Sequence, residues 1–122
     1  MERFEEFTID GKNFVSIDFS HCKIQDEFYM LTEEAKKIIA KYPKKSVYTI
    51  TYIEGVKLDA RVREIAIRYI KDNTPYVRYG AVVGLDSVKK IILSKVFRLG
   101  ERTNLFLALS KKEALDWLLK QD

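Results

Sequence analysis

Cysteine and histidine occur once each in these 122 residues. A lone Cys22 excludes an internal disulfide. With His21 as the only imidazole, the chain has too few Cys and His ligands for a zinc site. A reducing cytoplasm is the setting this cysteine usage implies. Apolar runs stop at about five residues, far short of the ~20 a membrane-spanning helix needs. The opening Met-Glu-Arg-Phe-Glu-Glu lacks a basic-then-apolar layout, so no signal peptide is expected. Prolines are scarce too: only Pro43 and Pro75 occur, and each marks the end of a periodic segment.

What is present is a soluble, globular composition, with 47% hydrophobic and 33% charged residues. That balance excludes disorder, and the length suits one domain spanning residues 1–122. The net charge of +4 is unevenly placed. Residues 1–34 carry nine acids against three bases, and the rest carry 19 bases against nine acids. Such polarity can steer acidic partners to one side or support head-to-tail association. No basic-aromatic motif accompanies the charge, which argues against nucleic acid as a partner.

The segment from Asn73 to Asp86 is the most informative. Asn73 and Pro75 end one helix, Val77–Val83 is a β-branched run, Gly84 permits a sharp turn, and Asp86 can cap the next helix. This is the junction of a βα unit. Upstream, Phe4–Ile9 and Phe14–Asp18 read as strands around a turn at Asp10–Asn13. Phe14, Ser16 and Asp18 fall on one face; Val15, Ile17 and Phe19 fall on the other. Phe28, Leu31, Ala35, Ile38 and Tyr42 mark a helix from Gln25 to Tyr42, which Pro43 stops. Ser46–Ile53 reads as a strand, and Asp59 caps a helix with Val62, Ile65, Ala66, Tyr69 and Ile70 on its stripe. The helix after Asp86 is expected to bury Val88, Ile91, Ile92, Val96 and Leu99 before Gly100. Asn104–Leu109 is the last strand, and Ser110 with Glu113 forms a capping box for the last helix. The order ββαβαβαβα predicts an α/β fold: an N-terminal β-hairpin followed by four βα units. Its sheet of five strands should be mostly parallel, with an antiparallel edge strand.

Val15-Ser-Ile-Asp-Phe-Ser20 after the hairpin, the strand SVYTIT from Ser46, NTPYVRYGAVVGLDSVKKII from Asn73 and LSKKEALDWL from Leu109 together resemble the bacterial STAS/SEC14-like proteins. These are similar in fold to anti-sigma-factor antagonists. The resemblance implies a regulatory or protein-interaction module without a cofactor, not an enzyme. In the antagonists a serine begins the helix after the second long strand and is phosphorylated by a partner kinase. Here that junction, residues 53–59, holds no Ser or Thr, so the switch does not transfer. SEC14 likeness implies lipid binding, yet 122 residues leave little room for a lipid-sized cavity beside a complete core.

Ligands of wound sheets gather outside the carboxyl ends of parallel strands. Asp18, Ser20, Gly84 and Ser87 are therefore the candidate ligand-binding residues, for a small ligand or a lipid headgroup. Asp18 has an equally physical structural reading, as acceptor of the backbone N–H groups of the next turn. His21 and Cys22 are residue types of a nucleophile and base, but neighbours in sequence rarely converge as catalytic groups. Tyr48, Tyr52 and Tyr79 are candidates for an interaction patch, for a protein partner or a second copy. They form one if no helix covers their face of the sheet, and fill core if one does.

Overall fold

The computed structural model describes residues 2–122. Strand β1 (Phe4–Ile9) and strand β2 (Lys12–Asp18) pair antiparallel, with Ile9 opposite Lys12. The turn is thus Asp10-Gly11 alone, not the four residues expected. Both have positive φ, 52° and 77°, the left-handed pair a tight two-residue hairpin demands. Helix α1 (Gln25–Ile39) follows, three residues shorter than its apolar periodicity suggests. Lys41 and Tyr42 continue it as a tighter turn, donating to Ile38 and Ile39.

Strand β3 (Val47–Tyr52), helix α2 (Ala60–Asn73), strand β4 (Val77–Val83), helix α3 (Ser87–Leu99), strand β5 (Leu105–Ala108) and helix α4 (Lys111–Leu119) complete the chain. The α/β order ββαβαβαβα is as expected. The strands lie side by side in chain order, and β2 to β5 are all parallel. The expected caps form: Asp59, Asp86 and Ser110 accept from the N–H groups of Val62, Lys89 and Glu113.

A sheet that advances by one strand at each right-handed crossover puts all its crossover helices on one face. Accordingly α1, α2 and α3 pack with Val15, Ile17, Val47, Val77 and Val82 in one core. Helix α4 lies on the opposite face over Phe14, Tyr48, Ile50, Ala81 and Val83. Both faces of the sheet are covered. A bulge in β4 sets the register: Val47 pairs with Val77 and Tyr48 with Tyr79, leaving Arg78 over. The extra residue turns Tyr79 to the α4 side, two positions after a residue that faces the other core.

The expected burial of α3 needs correction. Its buried residues are Leu93 and Val96, whereas Val88, Ile91 and Leu99 are exposed. The helix lies at the end of its layer with α2 on one flank only, so a narrower stripe suffices. Ile92 and Phe97 are half-buried against the core.

Candidate functional site

At the carboxyl ends of the strands, Asp18, Tyr52 and Val83 stand in register across β2, β3 and β4. The chain beyond them is knitted together. Phe19 N–H donates to Tyr52 O at 2.8 Å, His21 N–H to Glu54 O at 2.7 Å, and Ile53 N–H to Val83 O at 3.0 Å. Asp18 Oδ1 accepts from the backbone N–H of Ser20 at 2.8 Å and from the Ser20 hydroxyl. Arg3 clasps the same turn, donating through Nη1 to the carbonyls of Asp18 and Ser20 at 2.9 and 3.0 Å. One carboxylate oxygen of Asp18 and the Ser20 hydroxyl are therefore bonded to each other.

Gly84 has φ +97°, and a Cβ there would lie 2.7 Å from the backbone nitrogen of Glu54. The glycine is present because the β3 and β4 loops touch. Ser87 is exposed in the first turn of α3, next to a helix start that Asp86 already fills. The structure brings these four residues to one edge, as expected. The loops there close on one another through their own backbones.

His21 and Cys22 do not converge. His21 has φ +59° and lies against Gly55, where an added Cβ would be 2.5 Å from Nδ1. Cys22 is buried, and its thiol donates to the carbonyl of Ile24 at 3.8 Å. Burial first, then the charge of Glu27, pushes its thiol pKa up, which keeps it protonated and unreactive. Among the described residues no group of three or more His, Cys, Asp or Glu side chains is arranged to hold a metal ion. No described helix is long and apolar enough to cross a membrane.

The tyrosine face is roofed. Phe7, Phe14, Tyr48 and Tyr79 make a ring-to-ring row over four strands, with centroids 5.2, 5.6 and 6.1 Å apart. Trp117 of α4 stands edge-on to Tyr79 at 5.8 Å and stacks on Phe106 at 4.9 Å, extending the row to β5. Tyr48 is only 3% exposed, and its hydroxyl donates to the carbonyl of Asp122 at 2.8 Å. The Tyr79 hydroxyl bonds Asp122 Oδ1 at 3.2 Å, and Tyr52 is half-buried on the same face. Of the two alternatives for these rings, α4 and the residues after it realise the core one at Tyr48.

Two features escaped the sequence reading. The first is Arg102, 7% exposed and with no carboxylate within ion-pair reach among the described residues. Its guanidinium donates to Asn104 Oδ1 at 2.7 Å and to Ile70 O at 3.0 Å, at the carbonyl end of α2. Burial pushes its pKa down to about 10. The negative end of the helix dipole takes the place of a counter-ion. Arg102 also borders an apolar cavity of about 70 Å³ between the sheet, α2 and α3, lined by Phe19, Phe28, Val82, Leu93 and Phe97 among others. The second feature is the outer face of the helix layer. Ile24, Tyr29 and Met30 are exposed on and beside α1, and Val88, Ile91 and Leu99 on α3.

No family model matches this chain, no curated protein does, and neither does any solved structure. The resemblance to STAS/SEC14-like proteins thus rests on the residues quoted for it.

Proposed function

We propose that this chain is a non-catalytic protein-interaction module of STAS-like type, working in the cytoplasm through the outer faces of α1 and α3. The observation that carries this reading is where the unspent chemistry lies. At the strand ends Asp18 Oδ1 is bonded to Ser20 and Asp86 caps α3, and Cys22 is buried with its thiol pKa raised. Six of the seven large apolar side chains left in solvent sit on or beside α1 and α3 among charges; the seventh, Leu109, follows β5. Exposed apolar groups rimmed by charge are what protein docking surfaces use. Regulation through a phosphorylated loop at residues 53–59 is not part of the proposal, since that loop has no hydroxyl side chain.

The test is affinity capture from the native host with the wild-type chain and with a variant carrying Lys95→Glu and Arg98→Glu. A defined partner captured by the wild type and lost with the variant supports the reading. A partner retained equally by both moves the interaction elsewhere on the surface.

One observation favours a second reading, as a small-ligand binder. It is the cavity beside Arg102, not the strand-end edge. Its ~70 Å³ is about half the ~150 Å³ of an apolar cavity that accepts benzene. That admits a very small apolar anion and no lipid chain. Calorimetric titration with short-chain carboxylates tests it: saturable heat that disappears in Arg102→Met supports a ligand, and no heat removes the reading.

A further inference from the structure

We infer that Lys12, Tyr48, Arg78 and Tyr79 form a carboxylate-binding site at the amino ends of β2, β3 and β4, which the residues after α4 hold shut with Asp122. The inference goes beyond the interaction reading above and is independent of the outer faces of α1 and α3. Side chains from three strands converge on residues 119–122. Arg78 Nε donates to the main-chain oxygen of Asp122 at 2.6 Å, and the Tyr48 hydroxyl donates to the same oxygen at 2.8 Å. The Tyr79 hydroxyl donates to Asp122 Oδ1 at 3.2 Å. Lys12 Nζ donates to the carbonyl of Leu119 at 3.0 Å and lies 5.7 Å from the centre of the Tyr48 ring. All four side chains act as donors, and two of them are cations.

The bulge in β4 makes this convergence possible. Neighbours along a regular strand point to opposite faces, which would part Arg78 from Tyr79. The extra residue lets both reach Asp122, and re-aiming a side chain is what bulges do beside working sites. Tyr48 is 3% exposed, with its ring packed between those of Phe14 and Tyr79. Its hydroxyl is therefore aimed at one place before any ligand arrives.

Asp122 fills the site imperfectly. Arg78 carries Nε and Nη2 along one edge of its guanidinium, a fork that can grip both oxygens of a carboxylate. Here Nε holds a main-chain oxygen, while Nη2 stands 3.8 Å from Oδ1. A carboxylate brought by another molecule can take both nitrogens and the tyrosine hydroxyls besides. The tail is also lightly fastened. Helix α4 is anchored by buried Ala114 and Leu118, whereas Lys120 is exposed and the Asp122 side chain is 85% exposed. Gln121 bonds back to the carbonyls of Trp117 and Leu118. Residues 120–122 can thus leave while α4 stays in place. The ligand is a carboxylate, carried on an acidic partner peptide or free as a small organic acid, and it enters by displacing Asp122.

The test is a chemical-shift titration of the ¹⁵N-labelled full chain with two probes, the acetylated peptide Leu-Lys-Gln-Asp and succinate. Wild type is compared with Asp122→Lys, which sets a cation beside Arg78 and opens the site. If the tail is closed for about nine-tenths of the time or more, binding should tighten roughly tenfold or more in that variant. The expected result is saturable change at the amides of Tyr48, Arg78 and Tyr79, tighter in Asp122→Lys and lost when Arg78→Gln is added. Binding of the peptide alone assigns the site to an acidic partner chain; equal binding of succinate assigns it to a small acid. Circular-dichroism melts check that the variants stay folded. Should Arg78→Gln melt early, Tyr79→Phe takes its place, with weaker binding expected. Three results overturn the inference: neither probe binds Asp122→Lys, Asp122→Lys binds no tighter than wild type, or binding is unchanged when the Arg78 or Tyr79 substitution is added.

Discussion

Gly84 lies so close to Glu54 that a Cβ would sit 2.7 Å from the backbone nitrogen and 3.1 Å from Cα of that residue. The contact joins the β3 and β4 loops and starts α3. Because the clash is with backbone and φ is +97°, a branched side chain there meets two obstacles at once. Gly84→Val is expected to cost more than about 2 kcal/mol in chemical denaturation. Asp86→Ala, which removes only the cap on Lys89, should cost about 1 kcal/mol. Equal losses in the two variants would show that the Glu54 contact contributes nothing.

Cys22 is expected to resist alkylation in the native state at neutral pH. Its thiol is buried and its pKa is raised. The rate of reaction with iodoacetamide should follow the unfolded fraction as denaturant is added. Prompt reaction of the folded protein would mean an accessible thiolate and would return His21 and Cys22 to consideration as a reactive pair.

Arg102 is expected to be structural. Arg102→Met keeps the apolar bulk but removes the donor to Asn104 Oδ1 and leaves the carbonyl of Ile70 with the Thr74 hydroxyl alone, at a cost of about 1–3 kcal/mol. The loss should appear in hydrogen exchange as faster opening at the end of α2. If stability is unchanged or rises, the buried cation is not needed by the fold, and the ligand reading of the neighbouring cavity gains.

The link between Tyr42 and Glu6 makes stability depend on pH at both extremes. The hydroxyl donates to Glu6 Oε1 at 2.6 Å. The bond to the Glu6 carboxylate, and then burial, raise the tyrosine pKa to about 12; the bonds from Tyr42 and Lys41 lower that of Glu6. A phenol whose pKa is raised on folding contributes stability below its unfolded value near 10, lost as pH climbs from there toward 12. A carboxylate whose pKa is lowered contributes above its unfolded value near 4.5, lost as pH falls through the folded one. Tyr42→Phe should flatten the alkaline limb of the melting-temperature profile and weaken the acid limb. A profile identical to wild type would show that the bond does not form in solution.

Much of the fold was legible because local signals agreed. Asp59, Asp86 and Ser110 each stand one residue before a helix, and Pro43 and Pro75 each follow one. The errors have physical sources. A two-residue turn looked like four because Lys12 and Asn13 are polar yet pair within the hairpin. The bulge at Arg78 is a register effect between strands, invisible in either strand alone. The α3 stripe was misplaced because Val88, Ile91 and Leu99 keep helical spacing with true core residues, and periodicity does not say how wide a face the neighbours cover. Asp18, Ser20, Gly84 and Ser87 were correctly gathered at one edge. That Asp18 and Ser20 bond each other and that Gly84 abuts Glu54 required side-chain geometry.

The most direct measurement of the central claim is a map of amide chemical-shift changes in the ¹⁵N-labelled chain as host extract is added. The account predicts changes along the outer faces of α1 and α3, around Met30, Glu33, Ile91 and Lys95, with the strand-end loops undisturbed. Changes centred on Asp18–Ser20, Glu54 and Gly84–Ser87, with α1 and α3 silent, would contradict it and make the carboxyl edge of the sheet the working surface.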